Sequence, residues 1–555
     1  MGTSFNKSGL SIIKNKLKNK KVIFAMWDAD NKTDYPYQCW YLPLSKFFDN
    51  IILFDPRKQY FNLGKEKMNQ NFLDIIAKEK PDYVFLLLIY DEFYMETFEK
   101  IRKISPNTRT INYFSDEAWR FQDYSRYYIP FLDYSIIPPQ LPQKCYTEDG
   151  LENFFYVIGV NHENFRPIQL SKKYDVTFVG RSDNHRVEMI KFLLKNNMNV
   201  RVWGHNWNKH PEFKDIYGGS LESNELAKVI NQSKINLNFT VGGYGEQQLK
   251  IRPFEIFACG SFMLSEYFEG YLNFFKENKE IVMFMNQEDL LKKIKYYLKN
   301  EKEREKIAKA ARKKTVTNFT QEIVIAKMFQ KIFEQEKKGI SRELPKLNKK
   351  IIYLFRDDLN SNLKEKVKSA DYVCFNREKC KISKYRDFIQ AYSLEKSGKK
   401  ISCCDYYVNS YSLGNYLLFK AKRAFEKISS LSFNSLIVPE QIMVSKDYFL
   451  KNIHVFTQFL NKKNSILIKK DNTIFVSIPL ITIKKIHALE YSVMKEAFQM
   501  KFLDKLYSLY NQKKFFSLYP AALFLNSLKN HGIILKVIKE TVRDSDKLKK
   551  LKSLN

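Results

Sequence analysis

Short, uninterrupted apolar runs, separated by polar stretches long enough for a helix, constrain this chain more than any other feature. Residues 22–26 (VIFAM), 51–54 (IILF), 83–89 (YVFLLLI), 110–114 (TINYF) and 134–137 (YSII) form the first set. Runs of this length that do not alternate are the pattern of strands buried on both faces, as in a parallel sheet. Helix-length segments such as 71–78 lie between them, so the alternation predicts a doubly wound α/β domain. The pattern then restarts. Strands are expected over 175–180, 200–203, 235–239 and 280–284, and helices over 186–195, 223–232 (with Ser223 as N-cap), 288–300 and 302–319. Over 321–335, Ile323, Ile325, Ala326, Phe329, Ile332 and Phe333 recur at helical spacing, which predicts an amphipathic helix.

The chain has 555 residues, of which 44% are hydrophobic and 15% aromatic, enough for several packed domains and too apolar for wholesale disorder. Lys and Arg number 93 against 61 Asp and Glu, a formal charge of +32. Such an excess attracts anions: phosphorylated ligands, anionic lipid, acidic glycans or nucleic acid. A general lysine enrichment that needs no partner is the competing reading. The 7 cysteines are scattered and none has C-x-x-C spacing, which fits a reducing cytoplasm and argues against a disulfide framework or zinc site. No apolar run reaches membrane-spanning length, and lysines interrupt the N-terminal 20 residues, so these read as a basic tail rather than a signal peptide.

The densest chemistry lies in Gln248-Leu249-Lys250-Ile251-Arg252-Pro253-Phe254-Glu255-Ile256-Phe257-Ala258-Cys259-Gly260. Lys250 and Arg252 are two apart, so an extended backbone points both to one face. There they suit a diphosphate, for which guanidinium and ammonium are the usual partners. Glu255 opens a helix expected over 256–262 and suits sugar hydroxyls; a helix-start carboxylate stabilised by the dipole is the plainer alternative. Gly245 and Gln248 belong to the approach to this motif. Gly180, Arg181 and Arg186 stand where a strand ends and a helix begins, where backbone amides suit a phosphate. Asp28 and Asp30 follow the first strand, where an open α/β sheet places its ligands. Either carboxylate could act as general base on an acceptor hydroxyl. Asp116 is a third candidate in the same domain. Trp27, Trp40 and Tyr37 offer rings for stacking, although Trp40 suits a core.

The same residues carry a resemblance. Q-x-K-x-R-x-F-E-[IV]-x-x-C-G followed by Phe262-Met263-Leu264-Ser265-Glu266-Tyr267 resembles the nucleotide-sugar site of the spore-maturation-protein-B-like glycosyltransferases. Phe114-Ser115-Asp116-Glu117-Ala118-Trp119-Arg120-Phe121 resembles that family's acidic-Trp-Arg-Phe segment. Gly159-Val160-Asn161-His162-Glu163-Asn164-Phe165-Arg166-Pro167 resembles its linker, with Asn161 in place of Asp, and Asp175-Val176-Thr177-Phe178-Val179-Gly180 its second-domain first strand. The resemblance spans residues 21–336. It implies two Rossmann-like domains facing a cleft (the GT-B fold of the glycosyl transferases group 1), the last helix crossing back to the first domain, and a nucleotide-sugar donor as substrate with no cofactor. It also implies that Glu255 holds the ribose and is the second carboxylate of a Glu-x7-Glu motif. The first position of that motif falls on Gln247, with Glu246 one residue earlier, which leaves a retaining or inverting outcome open.

These readings divide the chain into a basic tail (1–20), an acceptor domain (21–165), a nucleotide-sugar domain (166–337), a linker (338–350), a third α/β region (351–505) and a helical basic tail (506–555). Strands are expected over 351–355, 371–375 and 401–405, and with residues 435–449, which contain Ile437-Val438-Pro439 and Met443-Val444-Ser445-Lys446-Asp447-Tyr448-Phe449, the third region weakly resembles an inactive single-sheet (GT-A-like) nucleotide-sugar domain. Where active members hold a divalent metal with Asp-x-Asp, this chain has Asn376-Arg377-Glu378, a poor magnesium or manganese site. The expected activity is metal-independent transfer of a sugar, hexosyltransferase class, to a glycan, lipid-linked sugar or protein acceptor. The expected place is the cytoplasm, or the inner face of a membrane. A nucleotide-sugar epimerase on the same fold, and a non-enzymatic basic protein binding membrane or nucleic acid, are the alternatives; nucleic acid ranks last because no recognised module is present.

Overall fold

The computed structural model describes residues 7–88, 92–115, 117–139, 143–241, 247–339, 349–354, 362–375, 380–383, 385–409, 416–419, 442–454, 456 and 473–484. Asp116, Gly245, Glu246, the Asn376-Arg377-Glu378 segment and the basic stretch 506–555 lie outside the described residues. The chain divides into two compact units. One comprises Met1–Lys58, Gln70–Phe121 and Tyr128–Glu343; the other comprises Gln59–Asn69, Gln122–Tyr127 and Leu344–Asn555.

Two all-parallel sheets build the first unit. β1 (Lys21–Ala25), β2 (Asn50–Phe54), β3 (Tyr83–Leu86), β4 (Arg109–Tyr113), β5 (Tyr134–Ile137) and β6 (Phe154–Tyr156) lie in the order β2-β1-β3-β4-β5-β6. β7 (Tyr174–Val179), β8 (Val200–Trp203), β9 (Ser233–Asn238), β10 (Met263–Glu266) and β11 (Val282–Phe284) lie in the order β11-β10-β9-β7-β8. The α/β class expected from the apolar runs is therefore observed. Both sheets are Rossmann-like and wind in the same way: the second strand lies on one side of the first, and the third returns to the other. The crevices beyond the carboxyl ends of β1/β3 and of β7/β9 are thus the two switch points, where such sheets bind ligands. β6 gives no run long enough to stand out in the sequence.

Four helices position the site: α1 (Lys7–Leu17), α2 (Asn184–Lys195), α3 (Arg252–Ala258) and α4 (Gln321–Lys338). α4 follows the second sheet but packs on the first. Its Ile325, Ala326, Phe329 and Ile332 share one buried cluster with Val22, Phe24, Phe48 and Tyr83. The Phe329 ring stands 5.5 Å from Phe48 and 5.1 Å from Tyr83. The apolar spacing over 321–335 is thus the returning helix that the resemblance implies. Residues 7–17 correct the reading of the N-terminus as a tail. They form a helix whose Ile13 and Leu17 enter that same core, and its lysines sit around the rim. Lys14 pairs with Glu322 at 2.9 Å, and Lys16 lies 5.4 Å from the Phe333 ring centre. Lysine density hides such a helix, because the long stems can lie along apolar surface while the charged heads reach water.

The connection between the sheets is pinned from both sides. Val160 N donates to Phe319 O and Gln321 N to Val160 O, both at 2.9 Å. Asn161 Nδ2 donates to Gln38 O at 2.6 Å, and Lys46 bridges Glu163 (2.5 Å) and Glu322 (2.7 Å). The helix Ser223–Gln232 forms as expected, but Glu222 rather than Ser223 occupies its N-cap, and Glu222 N donates to Glu225 Oε2 at 3.1 Å.

In the second unit the strands β12 (Ile351–Leu354), β13 (Tyr372–Phe375), β14 (Cys380–Ile382), β15 (Ile401–Asn409), β16 (Tyr416–Phe419), β17 (Ile442–Ser445) and β18 (Thr473–Lys484) make one mixed sheet. β12/β13 and β15/β18 are parallel; β13/β17, β15/β17, β15/β16 and β14/β18 are antiparallel. Among the described residues no helix is long and apolar enough to cross a membrane.

Docking of α1 is directly testable. Leu17 is 0% exposed. Leu17→Ala should lower stability by about 2–5 kcal/mol through lost transfer and an unfilled cavity, read from urea unfolding of the full chain. A change within about 0.5 kcal/mol, as for surface substitutions, contradicts the docked helix.

Candidate functional site

The carboxyl ends of β7 and β9 bring together the cations of the second sheet. β7 runs into Gly180, whose carbonyl accepts from Trp207 Nε1 at 2.7 Å and is packed so closely by Gly204 that a Cβ there would lie 2.4 Å from it. α2 then starts with Asp183 as its cap, accepting from Arg186 N at 3.0 Å. That carboxylate occupies part of the helix terminus that a phosphate would otherwise use. Arg181 is exposed. Arg186 turns inward: Nε lies 3.1 Å from Asp183 Oδ2, Nη1 donates to Arg181 O at 2.8 Å, and Nη2 donates to Val241 O at 3.3 Å. Burial works against its charge, with Asp183 opposing that effect. Lys250 Nζ reaches the same carbonyl at 3.1 Å and Phe239 O at 2.8 Å. Two cations therefore meet at Val241, one from each side of the switch point. Gln248 donates its backbone amide to Thr240 O at 3.1 Å.

Arg252 does not share this position, which corrects the expectation of one basic face. The helix begins at Arg252, with Pro253 in its first turn, rather than beyond Glu255. Pro pre-sets a helical φ at no hydrogen-bond cost there. The extended-backbone spacing of Lys250 and Arg252 thus fails, and Arg252 Nη1 instead pairs with Glu255 Oε2 at 2.5 Å, one turn along. Glu255 is 7% exposed. Burial raises its carboxyl above the usual range, and Arg252 pulls it back only in part. The helix ends at Ala258, and the chain turns away at Gly260, whose φ of 69° is the left-handed conformation that suits glycine.

The first sheet contributes from β1. Asp28 takes a φ of 51° in the turn after the strand. Partial burial holds its carboxyl above the usual range, with Arg57 opposing and Asp34 and Asp55 reinforcing. Asp30 is exposed and paired with Lys58 at 2.6 Å. Trp40 is core, with its ring 5.2 Å from Phe85 and 4.8 Å from Tyr113. Tyr37 and Tyr41 stack at 4.7 Å along a π-helical turn, Tyr37–Tyr41. Cys39 in that turn is held protonated by burial and then by the nearby charge of Glu255. The 37–41 turn of the first sheet therefore lies within electrostatic range of Glu255.

Sequence reasoning missed His185, Thr240 and the role of Glu266. In the sequence Glu266 stands only within the Phe262–Tyr267 segment that carries the resemblance. Its Oε1 lies 2.8 Å from His185 Nε2, and its Oε2 accepts from Thr240 N at 2.8 Å, Thr240 Oγ1 at 3.0 Å and Val241 N at 3.3 Å. Its place at the end of an apolar run, at a strand's carboxyl end, was the available signal. Among the described residues, no group of three or more His, Cys, Asp or Glu is placed to hold a metal ion.

Residues 183–330 match a family model described as glycosyl transferase-like. The spore protein CgeB of Bacillus subtilis (strain 168) is 25% identical over 228 residues, which cover 38% of this chain and 70% of that protein. Among solved structures, a sucrose-phosphate synthase from Thermosynechococcus elongatus aligns at 12% identity and a TM-score of 0.42, over 58% of this chain and 100% of its own. The Anabaena protein HepE in complex with UDP and glucose aligns at 8% identity and a TM-score of 0.44, over 57% and 100%.

The Arg252–Glu255 pair generates a pH prediction. A carboxyl raised in the folded state binds its proton more tightly there than in the unfolded chain. Stability contributed by that proton is therefore lost as pH rises from the ordinary carboxylate range through the raised value. Glu255→Gln should flatten this loss, so the variant gains on the native chain between pH 4 and pH 8 in thermal melts. Arg252→Ala, which leaves the carboxylate buried without its cation, should cost about 1–3 kcal/mol at pH 8. Parallel pH profiles for Glu255→Gln and the native chain contradict the assignment.

Proposed function

We propose that this chain transfers a sugar from a nucleotide-activated donor to a hydroxyl acceptor. The observation that carries the reading is the convergence of Arg186 and Lys250 on the Val241 carbonyl at the β7/β9 switch point. Arg186, Val241, Lys250 and the buried Glu255 all fall within residues 183–330, the stretch that matches the glycosyl transferase-like family. The Val241 carbonyl is a weak shared partner for two cations, of which Arg186 also pairs with Asp183 at 3.1 Å. A diphosphate offers charge-assisted bonds worth about 1.5–3 kcal/mol each. Both side chains would exchange Val241 for phosphate oxygens, and Glu255 would accept from ribose hydroxyls.

As the sugar–phosphate bond breaks, negative charge accumulates on the departing nucleoside diphosphate. Fixed cations at that position stabilise the transition state more than the ground state. In this reading they supply the neutralisation, and a divalent metal is not required. Asp28 is the favoured base: it stands at the β1 switch point with a raised proton affinity, whereas Asp30 is occupied by Lys58. The acceptor is a glycan, a lipid-linked sugar or a protein. The charge of +32 would draw the enzyme, placed in the cytoplasm, to an anionic membrane face.

A panel of nucleotide sugars tested for thermal stabilisation, and then for acceptor-dependent release of nucleoside diphosphate, decides the matter. At least one donor should raise the melting temperature. Lys250→Ala should weaken its binding by about 1.5–3 kcal/mol, and turnover should survive EDTA. No response to any donor contradicts the proposal. Metal-reversible loss with EDTA contradicts the role given to the cations.

A further inference from the structure

The geometry points to Glu266 as the positioning residue of the donor site, tying three strand ends together so that Arg186 and Lys250 meet at one point. This inference rests on the donor site proposed above. Glu266 closes β10, and its side chain is 13% exposed. One oxygen engages His185, in the first turn of α2 after β7. The other accepts from Thr240 and Val241, which extend β9. A single carboxylate thus links the carboxyl ends of β7, β9 and β10 across the switch point.

Val241 is the shared element. Its N–H is held by Glu266, and its carbonyl receives Lys250 Nζ and Arg186 Nη2. The N–H and the carbonyl of Val241 lie in adjacent peptide planes, so anchoring the N–H leaves only the φ and ψ of this residue to set where the carbonyl points. If the Glu266 bonds were lost, the contacts with Gln247 and Gln248 would be left to hold Thr240 and Val241, and the common target of the two cations would be less firmly placed. Gln247 reinforces the same node: its Nε2 donates to Thr240 Oγ1 at 3.2 Å and to Tyr267 O at 2.9 Å. This set joins the residue after β10 to the residues after β9.

The engagement of Glu266 also limits what it can do. Three donors from Thr240 and Val241 converge on one oxygen, and His185 takes the other. A carboxylate so occupied is a poor general base, because proton abstraction would require breaking bonds that hold the backbone. Its negative charge lies close enough to Arg186 to favour the charged guanidinium. Glu266 therefore acts through Arg186 and the Val241 backbone rather than on the donor.

The test uses the full-length chain with inorganic pyrophosphate and a panel of UDP, GDP, ADP and CDP as probes, so that it does not depend on knowing the base. Native affinity is measured by calorimetry and compared with Glu266→Gln, Glu266→Ala and Thr240→Val. Loss of a charge-assisted bond network should weaken binding by about 5- to 30-fold in Glu266→Ala. Glu266→Gln, which keeps an acceptor oxygen, should fall between it and the native chain, and Thr240→Val should show a smaller loss. Once a donor is known, the change should appear mainly in KM and little in kcat. Thr240→Val, which preserves shape, keeps the inference testable should the Glu266 variants fail to fold. If the native chain binds none of the probes, the donor site itself is wrong, and this inference falls with it. If the native chain binds and Glu266→Ala and Thr240→Val bind equally well, the donor site stands and the positioning role is refuted. An equal fall in kcat with no change in KM also refutes it.

Discussion

The return of α4 onto the first sheet is the constraint on which the rest of this structure depends. A helix that follows β11 in sequence buries Ile325, Phe329 and Ile332 among Val22, Phe24, Phe48 and Tyr83. Fully burying one such side chain is worth about 1.5–3 kcal/mol, so three or more together outweigh any single polar contact in the connection. Glu322, at the start of α4, adds the ion pairs with Lys14 and Lys46. Both sheets therefore belong to one compact unit. Glu255 of the second sheet can be felt by Cys39 of the first only because of this arrangement.

Within that frame the site depends on where strands end. Each sheet has its switch point beside its first strand, and each offers polar groups there: Asp28 after β1, and Arg186, Val241 and Lys250 around β7 and β9. The cations are not left exposed. Val241 and Phe239 carbonyls hold them in place, and burial works against the charge of Arg186 while Asp183 and Glu266 oppose that effect. In the proposed donor site an anionic ligand would meet side chains that are already ordered, which lowers the entropy cost of binding.

How much of this was legible in the sequence follows from the range of the interactions involved. Buried parallel strands need continuous apolar runs, so β1, β2, β4, β5 and β7 to β9 could be read to within a residue or two, while β3 stops at Leu86, three residues short of its apolar run; the period of α4 was equally clear. β6 was not, because Phe154, Phe155 and Tyr156 are too few to make a pattern. α1 was obscured by lysines that lie around its buried Ile13 and Leu17. Site residues were read by type more reliably than by direction. Lys250 and Arg252 were both seen, but the start of α3 at Arg252 turned that side chain onto Glu255. A dipeptide spacing does not reveal where a helix begins. The His185–Glu266 contact spans 81 positions and no local motif announces it. It became visible only when β7, β9 and β10 were brought side by side.

A crystal structure of the full chain with the nucleoside diphosphate that most raises its melting temperature tests the central claim most directly. The account predicts phosphate oxygens within hydrogen-bond distance of Arg186 and Lys250, both released from the Val241 carbonyl, with the ribose at Glu255. A nucleotide bound elsewhere, with Arg186 and Lys250 still seated on Val241, contradicts it.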